Sequence, residues 1–176
     1  RTHSEVGRRL RALWVLHGMG AISQSLSDQA LKDSSPHVRA WAIRLLMERQ
    51  AYRVDDQSLA QLVHMAQTDE SQVVRLALAS AANRLPLESR WNLLAVLTAF
   101  PEDRDDHNLP LLYWYAMEPL ADLDADRALA LGLNAGTNIP MLREYMLRRV
   151  SEAGDMASLD RLLRGLEKAD SSEMQL

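Results

Sequence analysis

The histidines and the acidic runs are the residues of this chain whose types could do chemistry. His3, His17, His37, His64 and His107 are its five histidines, and no two stand four positions apart. A helical zinc site needs two imidazoles on one face, as in H-E-x-x-H, so that chemistry is missing. Glu102-Asp103-Arg104-Asp105-Asp106 invites calcium. An EF-hand loop begun at Asp103 needs Gly at 108 and Glu at 114; the chain has Asn108 and Trp114. A loop begun at Asp122, running through Asp124 and Asp126, meets Arg127 and Leu133 at the corresponding places. Both runs read as solvated loops and helix caps. There is no G-x-S-x-G, no P-loop and no G-x-G-x-x-G. The absence of cysteine excludes disulfides, thiolate metal sites, a Cys nucleophile and covalent haem attachment within these residues. The sequence calls for no catalytic residue, no metal and no cofactor.

The residues that can bind are aromatic and basic. Trp14, Trp41, Trp91 and Trp114 lie in apolar helical stripes, where core packing is the default. Tyr113, Trp114 and Tyr115 differ as a group. Successive helical residues turn by about 100°, so three rings in a row cannot all enter one core face, and at least one reaches a groove or the surface. Tyr and Trp make binding hot spots, and Glu118, one turn on, can add a charge-assisted hydrogen bond. Trp114, Tyr115 and Glu118 are therefore candidate partner-binding residues. Arg44, flanking its helix at i, i+4 spacing from Glu48, and Arg148, in a basic flank with Arg143 and Arg149, complete the set. Acids interleave with that flank, which favours salt-bridged faces over phosphate binding. His17 falls on an apolar face, as a packed imidazole bonded to a neighbouring helix or, more sharply, as a ligand contact.

The elements that position these residues are helices. Apolar residues recur at helical spacing over 5–19, 23–32, 56–67, 71–85, 87–99, 108–121, 124–134, 139–153 and 156–168, and at Val38, Trp41, Ala42, Leu45 and Leu46 in a helix whose first turn holds Pro36. No segment alternates convincingly with period two. The chain has 176 residues, with 47% hydrophobic and 25% charged, an ordinary globular composition. A formal charge of −4 argues against a DNA-wrapping surface, and no apolar run approaches membrane-spanning length. The expected organisation is one helical repeat domain over 1–169 and a disordered tail over 170–176. Because the chain starts at Arg1 rather than Met, it reads as a segment of a larger protein.

A short pattern occurs twice. Asp33-Ser34-Ser35-Pro36-His37-Val38-Arg39 and Asp69-Glu70-Ser71-Gln72-Val73-Val74-Arg75 are offset by 36 residues, a period typical of stacked helix pairs. The pattern resembles HEAT repeats, in which an acid in the turn inside each helix pair is followed by Val and a basic residue. Asp33, Val38, Arg39 and Asp69, Val74, Arg75 fit it. The resemblance implies an all-α, right-handed α-solenoid of about four to five antiparallel helix pairs. It gives the acid and the Arg structural roles: capping a helix start and pairing within a repeat or between neighbours. The fit weakens downstream, where Asp105 or Asp106 with His107-Asn108-Leu109-Pro110 lacks the Val-Arg pair.

Ala12–Gly18 and Leu111–Pro119 resemble the helical region of large bacterial exported proteins of membrane-bound dehydrogenase type. Those carry a propeller-like sugar-dehydrogenase domain before the helices and a c-type haem domain after them. The resemblance implies a docking segment in an exported, periplasmic setting, with redox chemistry elsewhere. The leading expectation is a non-catalytic scaffold that binds a partner protein or a neighbouring domain of the same chain, not nucleic acid and not by membrane insertion. The alternative is a HEAT-like nucleic-acid enzyme of the DNA glycosylase type, with Trp114 and Glu118 as its working pair.

Overall fold

Helix starts in this chain are set by short polar residues and by proline. The structure is a computed structural model that describes residues 5–50, 54–152, 159–160 and 162–165. Among these there are helices and no strand: α1 Val6–Gly18, α2 Gln24–Leu31, α3 Pro36–Arg49, α4 Asp56–Thr68, α5 Gln72–Ala82, α6 Arg90–Leu97, α7 Leu109–Met117, α8 Leu120–Leu123, α9 Ala125–Ala135 and α10 Pro140–Ser151. Short 3-10 turns span Leu87–Ser89 and Pro101–Asp105. Residues 159–160 and 162–165 are helical; the rest of the helix expected over 156–168, and the tail over 170–176, lie outside the described residues. Ser23, Asp55 and Asp124 cap α2, α4 and α9 by accepting from Leu26, Ser58 and Arg127 N–H. Pro36 and Pro140 stand in the first turns of α3 and α10, where a missing N–H costs nothing.

The helices gather into two compact units, Arg1–Pro86 and Leu87–Leu176. In the first, α2 pairs with α3 and α4 with α5, while α3 also lies against α5 and α1. This is the pairing of HEAT repeats, with α1, α3 and α5 as one layer. Ile43, Leu46, Leu62, Val74 and Leu78 form its core, with no more than 2% of any exposed. In the second unit α6 meets α7, α7 meets α8 and α10, and α9 lies along both α8 and α10. Leu93, Leu94, Leu97, Met117, Leu142 and Met146 are fully buried there.

Three expectations are corrected. The helix drawn over 108–121 is two helices, because Pro119 lacks the N–H and its ring collides with the carbonyl four residues back. The helix drawn over 87–99 begins as a 3-10 turn and becomes α-helical only at Arg90. The run 102–106 is not uniformly solvated: Asp103 is completely buried and accepts a 2.8 Å hydrogen bond from the Tyr113 hydroxyl.

The turn acid persists where the pattern looked lost. Asp33 Oδ1 accepts from Ser35 N–H at 2.8 Å, Asp69 Oδ1 from Ser71 N–H at 3.1 Å and Asp106 Oδ1 from Asn108 N–H at 2.8 Å. The steps 33 to 69 to 106 are 36 and 37 residues. Asp106 also accepts from Leu109 N–H at 2.9 Å. The Leu109 bond, then the Asn108 bond, holds its carboxyl below the ordinary Asp range. A carboxylate whose pKa falls on folding stabilises the fold above its unfolded value of about 3.9, and that gain is lost as pH falls through the folded value. Asn caps about as well as Asp, so Asp106→Asn removes only the charge. Thermal melts across pH should show the variant less stable than wild type at neutral pH, with the gap closing as pH falls below the ordinary Asp range. A gap that stays constant with pH would contradict the cap assignment.

Candidate functional site

The repeated acids and arginines form a ladder. Arg9, on α1, donates to Asp33 Oδ1 at 2.9 Å. Arg39, on α3, grips Asp69 with both arms, Nε to Oδ2 at 2.6 Å and Nη2 to Oδ1 at 2.8 Å. Its Nη1 donates to the Asp33 carbonyl at 2.8 Å. Arg75 is fully buried and donates to the Glu70 carbonyl at 3.0 Å. Val38 and Val74, the residues before these two arginines, are buried in the core. Arg39 and Arg75 thus each tie their own turn to itself, and Arg9 and Arg39 reach the acid of the next turn along. Asp33, Val38, Arg39, Asp69, Val74 and Arg75 are accordingly placed to hold the stack.

A second arrangement crosses α1 and α3. Trp14 meets Trp41 edge to face, with ring centroids 4.9 Å apart and planes at 70°. The Arg44 guanidinium lies over the Trp41 ring at 4.6 Å from its centroid. Trp14 is 41% exposed, which corrects the expectation that it packs in the core. Arg44 is exposed, and it shares a narrow cleft between α3 and α5 with Ala77, Ser80 and Arg84. The i, i+4 pairing of Arg44 with Glu48 does not form. Glu48 Oε2 instead lies 3.2 Å from His17 Nε2, so His17 takes the interhelical bond expected of it.

The second unit repeats the motif with different rings. Trp114 on α7 meets Tyr145 on α10 edge to face at 5.4 Å and 79°, and Arg148 stands 6.0 Å from the Tyr145 centroid. The three rings expected to diverge do so. Tyr113 is buried, Trp114 is half-buried and Tyr115 is 58% exposed. In both units an edge-to-face pair joins two helices and an Arg three residues after the second ring lies on it.

Two arginines of α10 are answered by acids. Arg148 donates to Glu144 at 2.5 Å. Arg149 Nε donates to Glu118 Oε1 at 2.5 Å and its Nη2 to Asp122 Oδ1 at 2.6 Å. Those bonds, Glu118 first, raise the Arg149 pKa above its ordinary value. Glu118 therefore binds α10 to the break between α7 and α8, and its carboxylate is already engaged by a strong partner. Of the five expected binding residues, the structure joins Trp114 and Arg148 through Tyr145 and leaves Tyr115 exposed. It gives Glu118 an internal partner and places Arg44 with Trp14 and Trp41. Neither of those tryptophans had been singled out for binding. The signal was present: both are large rings near an Arg at helical spacing.

Among the described residues no group of three or more His, Asp or Glu is placed to hold a metal ion, and no helix is long and apolar enough to cross a membrane. A broader groove of the first unit is lined by Lys32, Arg39, Gln61, His64 and Asp69 among others, with the Arg39–Asp69 pair in its wall.

No curated protein and no solved structure matches the chain. Residues 3–83 match the family model for HEAT repeats, and HEAT repeats commonly serve as protein-interaction scaffolds. The matched segment contains both full copies of the acid–Val–Arg pattern and the helices α1 to α5, and the match supports the HEAT-repeat family for this part of the chain.

Proposed function

We propose that this chain is a non-catalytic docking module that binds a partner protein, or a neighbouring domain of its own polypeptide, through side chains on its stacked helices. The observation that carries this reading is the row Trp14–Trp41–Arg44. It joins exposed aromatic surface to an arginine lying over a ring, residue types enriched among the hot spots of protein interfaces. Trp114, Tyr115 and Arg148 form the corresponding surface of the second unit. The setting we favour is a larger multidomain bacterial protein of the membrane-bound dehydrogenase type, exported to the periplasm. Its support is the resemblance of Ala12–Gly18 and Leu111–Pro119 to the helical region of such proteins. The glycosylase-type alternative loses support because Glu118 is paired with Arg149 rather than standing open beside Trp114.

Affinity capture tests the proposal. The full chain should retain a stoichiometric partner from an extract of cells that express it. The double variant Trp14→Ala/Arg44→Glu, with an unfolding midpoint near wild type, should lose that partner by tenfold or more. Equal retention by the variant, or turnover of a substrate by groups of this segment, would overturn it.

A further inference from the structure

The charges of the first unit are segregated by layer. Helices α1, α3 and α5 carry seven arginines and one acid, Glu48. Helices α2 and α4 carry no Arg or Lys and one acid each, Asp28 and Asp56. Most of the seven are occupied. Arg9 and Arg39 hold the turn acids, and Arg75 is buried against the Glu70 carbonyl. Arg8 pairs with Glu5 at 2.9 Å, and Arg49 donates to Gln24 and to the Ile22 carbonyl. That leaves two. Arg11 uses Nε on its own helix, at the Gly7 carbonyl, and Arg44 lies on Trp41. Neither has an acid partner among the described residues, and both are exposed. Arg11 is one turn before Trp14, on the same side of α1. The one acid of this layer, Glu48, is engaged by His17.

From this we infer that the α1–α3–α5 face of the first unit receives an acidic segment of the partner, in which carboxylates flank an apolar side chain. The inference rests on the docking reading above and names the chemistry of its partner. An Arg held over an indole keeps its planar fork open at the edge, the geometry that takes a carboxylate in two parallel hydrogen bonds. Trp14 offers the apolar platform between Arg11 and Arg44. In the second unit Arg148 and Arg149 are answered by Glu144, Glu118 and Asp122, and Arg127 lies over the Trp91 ring, which is buried and offers no exposed apolar platform. Nucleic acid fits less well. Tight phosphate binding takes about six to ten cation contacts, and the face has two unanswered arginines on a chain of net charge −4.

The test is a fluorescence-anisotropy titration of the full chain with labelled short peptides and a short single-stranded oligonucleotide. One peptide is Glu- and Asp-rich around a central Leu; the other replaces the acids with Lys. The acidic peptide should bind, more weakly as salt rises. Arg44→Glu should lower its affinity by roughly tenfold or more and Trp14→Ala by several-fold. Arg148→Glu should leave it unchanged. Circular dichroism confirms that each variant is folded. Unchanged affinity in Arg44→Glu, equal binding of the Lys peptide, or tighter binding of the oligonucleotide would each overturn the inference. If the acidic peptide fails to bind while partner capture still depends on Arg44, the acidic ligand is wrong and the docking reading stands. If capture is also independent of Arg44 and Trp14, both fall.

Discussion

Asp69→Ala should lower the unfolding free energy of the first unit by about 2–4 kcal/mol. The carboxylate takes two charge-assisted bonds from Arg39 and one from Ser71 N–H. Its removal leaves a guanidinium that is only 19% exposed, held by the Asp33 and Ser34 carbonyls. Breaking a partly buried pair by deleting one partner costs more than deleting both, because the survivor keeps its desolvation penalty. Arg39→Leu/Asp69→Ala should therefore be less destabilised than the sum of the two single variants, and a urea double-mutant cycle would show it. Asp33→Ala should cost less, since a single-armed contact from Arg9 replaces the two-armed grip. If Asp69→Ala moved the urea midpoint no more than a typical surface change, the ladder would not be what holds these turns.

Gly132→Val should destabilise the second unit by about 3 kcal/mol or more. A Cβ at Gly132 would sit 2.6 Å from Met146 Cβ and Cγ, and one at Gly136 would sit 2.2 Å from Arg143 Cβ. Gly132 on α9 and Gly136 just past its end are one turn apart and let α10 approach closely. An Ala at 132 gains up to about 1 kcal/mol of helix propensity, yet the colliding atom is the root of the Met146 side chain, which cannot swing aside. The net change for Gly132→Ala should still be unfavourable. Gly18, with nothing within 4 Å of its would-be Cβ, is the control: Gly18→Ala should be neutral or stabilising. Chemical denaturation of the three variants checks this, and equal effects at 18 and 132 would contradict the close approach of α9 and α10.

The helices of the first unit were legible because each carries an uninterrupted apolar stripe, and their ends fell within a few residues of the expected positions. Other features depended on partners distant in sequence. Asp103 sits in a run that reads as solvent-facing, yet it is buried and takes a hydrogen bond from the Tyr113 hydroxyl ten residues on. Glu118 has the chemistry of a binding residue, but Arg149 reaches it from 31 residues away. Arg44 and Glu48 have ideal spacing for a helical pair, and each found a better partner, the Trp41 ring and His17. Trp14 lies on an apolar stripe, and periodicity alone does not say whether another layer covers that stripe. The segregation of arginines onto α1, α3 and α5 was visible once helix boundaries were drawn, and it is the sequence signal that points most directly to the Arg44 face.

The ladder and the aromatic row assign stability and binding to different residues of the same helices. The most direct test is the affinity of the captured partner for Arg44→Glu, measured by calorimetry on protein whose unfolding midpoint is recorded in parallel, with Asp69→Ala below its own midpoint as the counterpart. The account predicts a loss of roughly tenfold or more in affinity for Arg44→Glu at wild-type stability, and near wild-type affinity for the less stable Asp69→Ala. Wild-type affinity in a folded Arg44→Glu protein would contradict it.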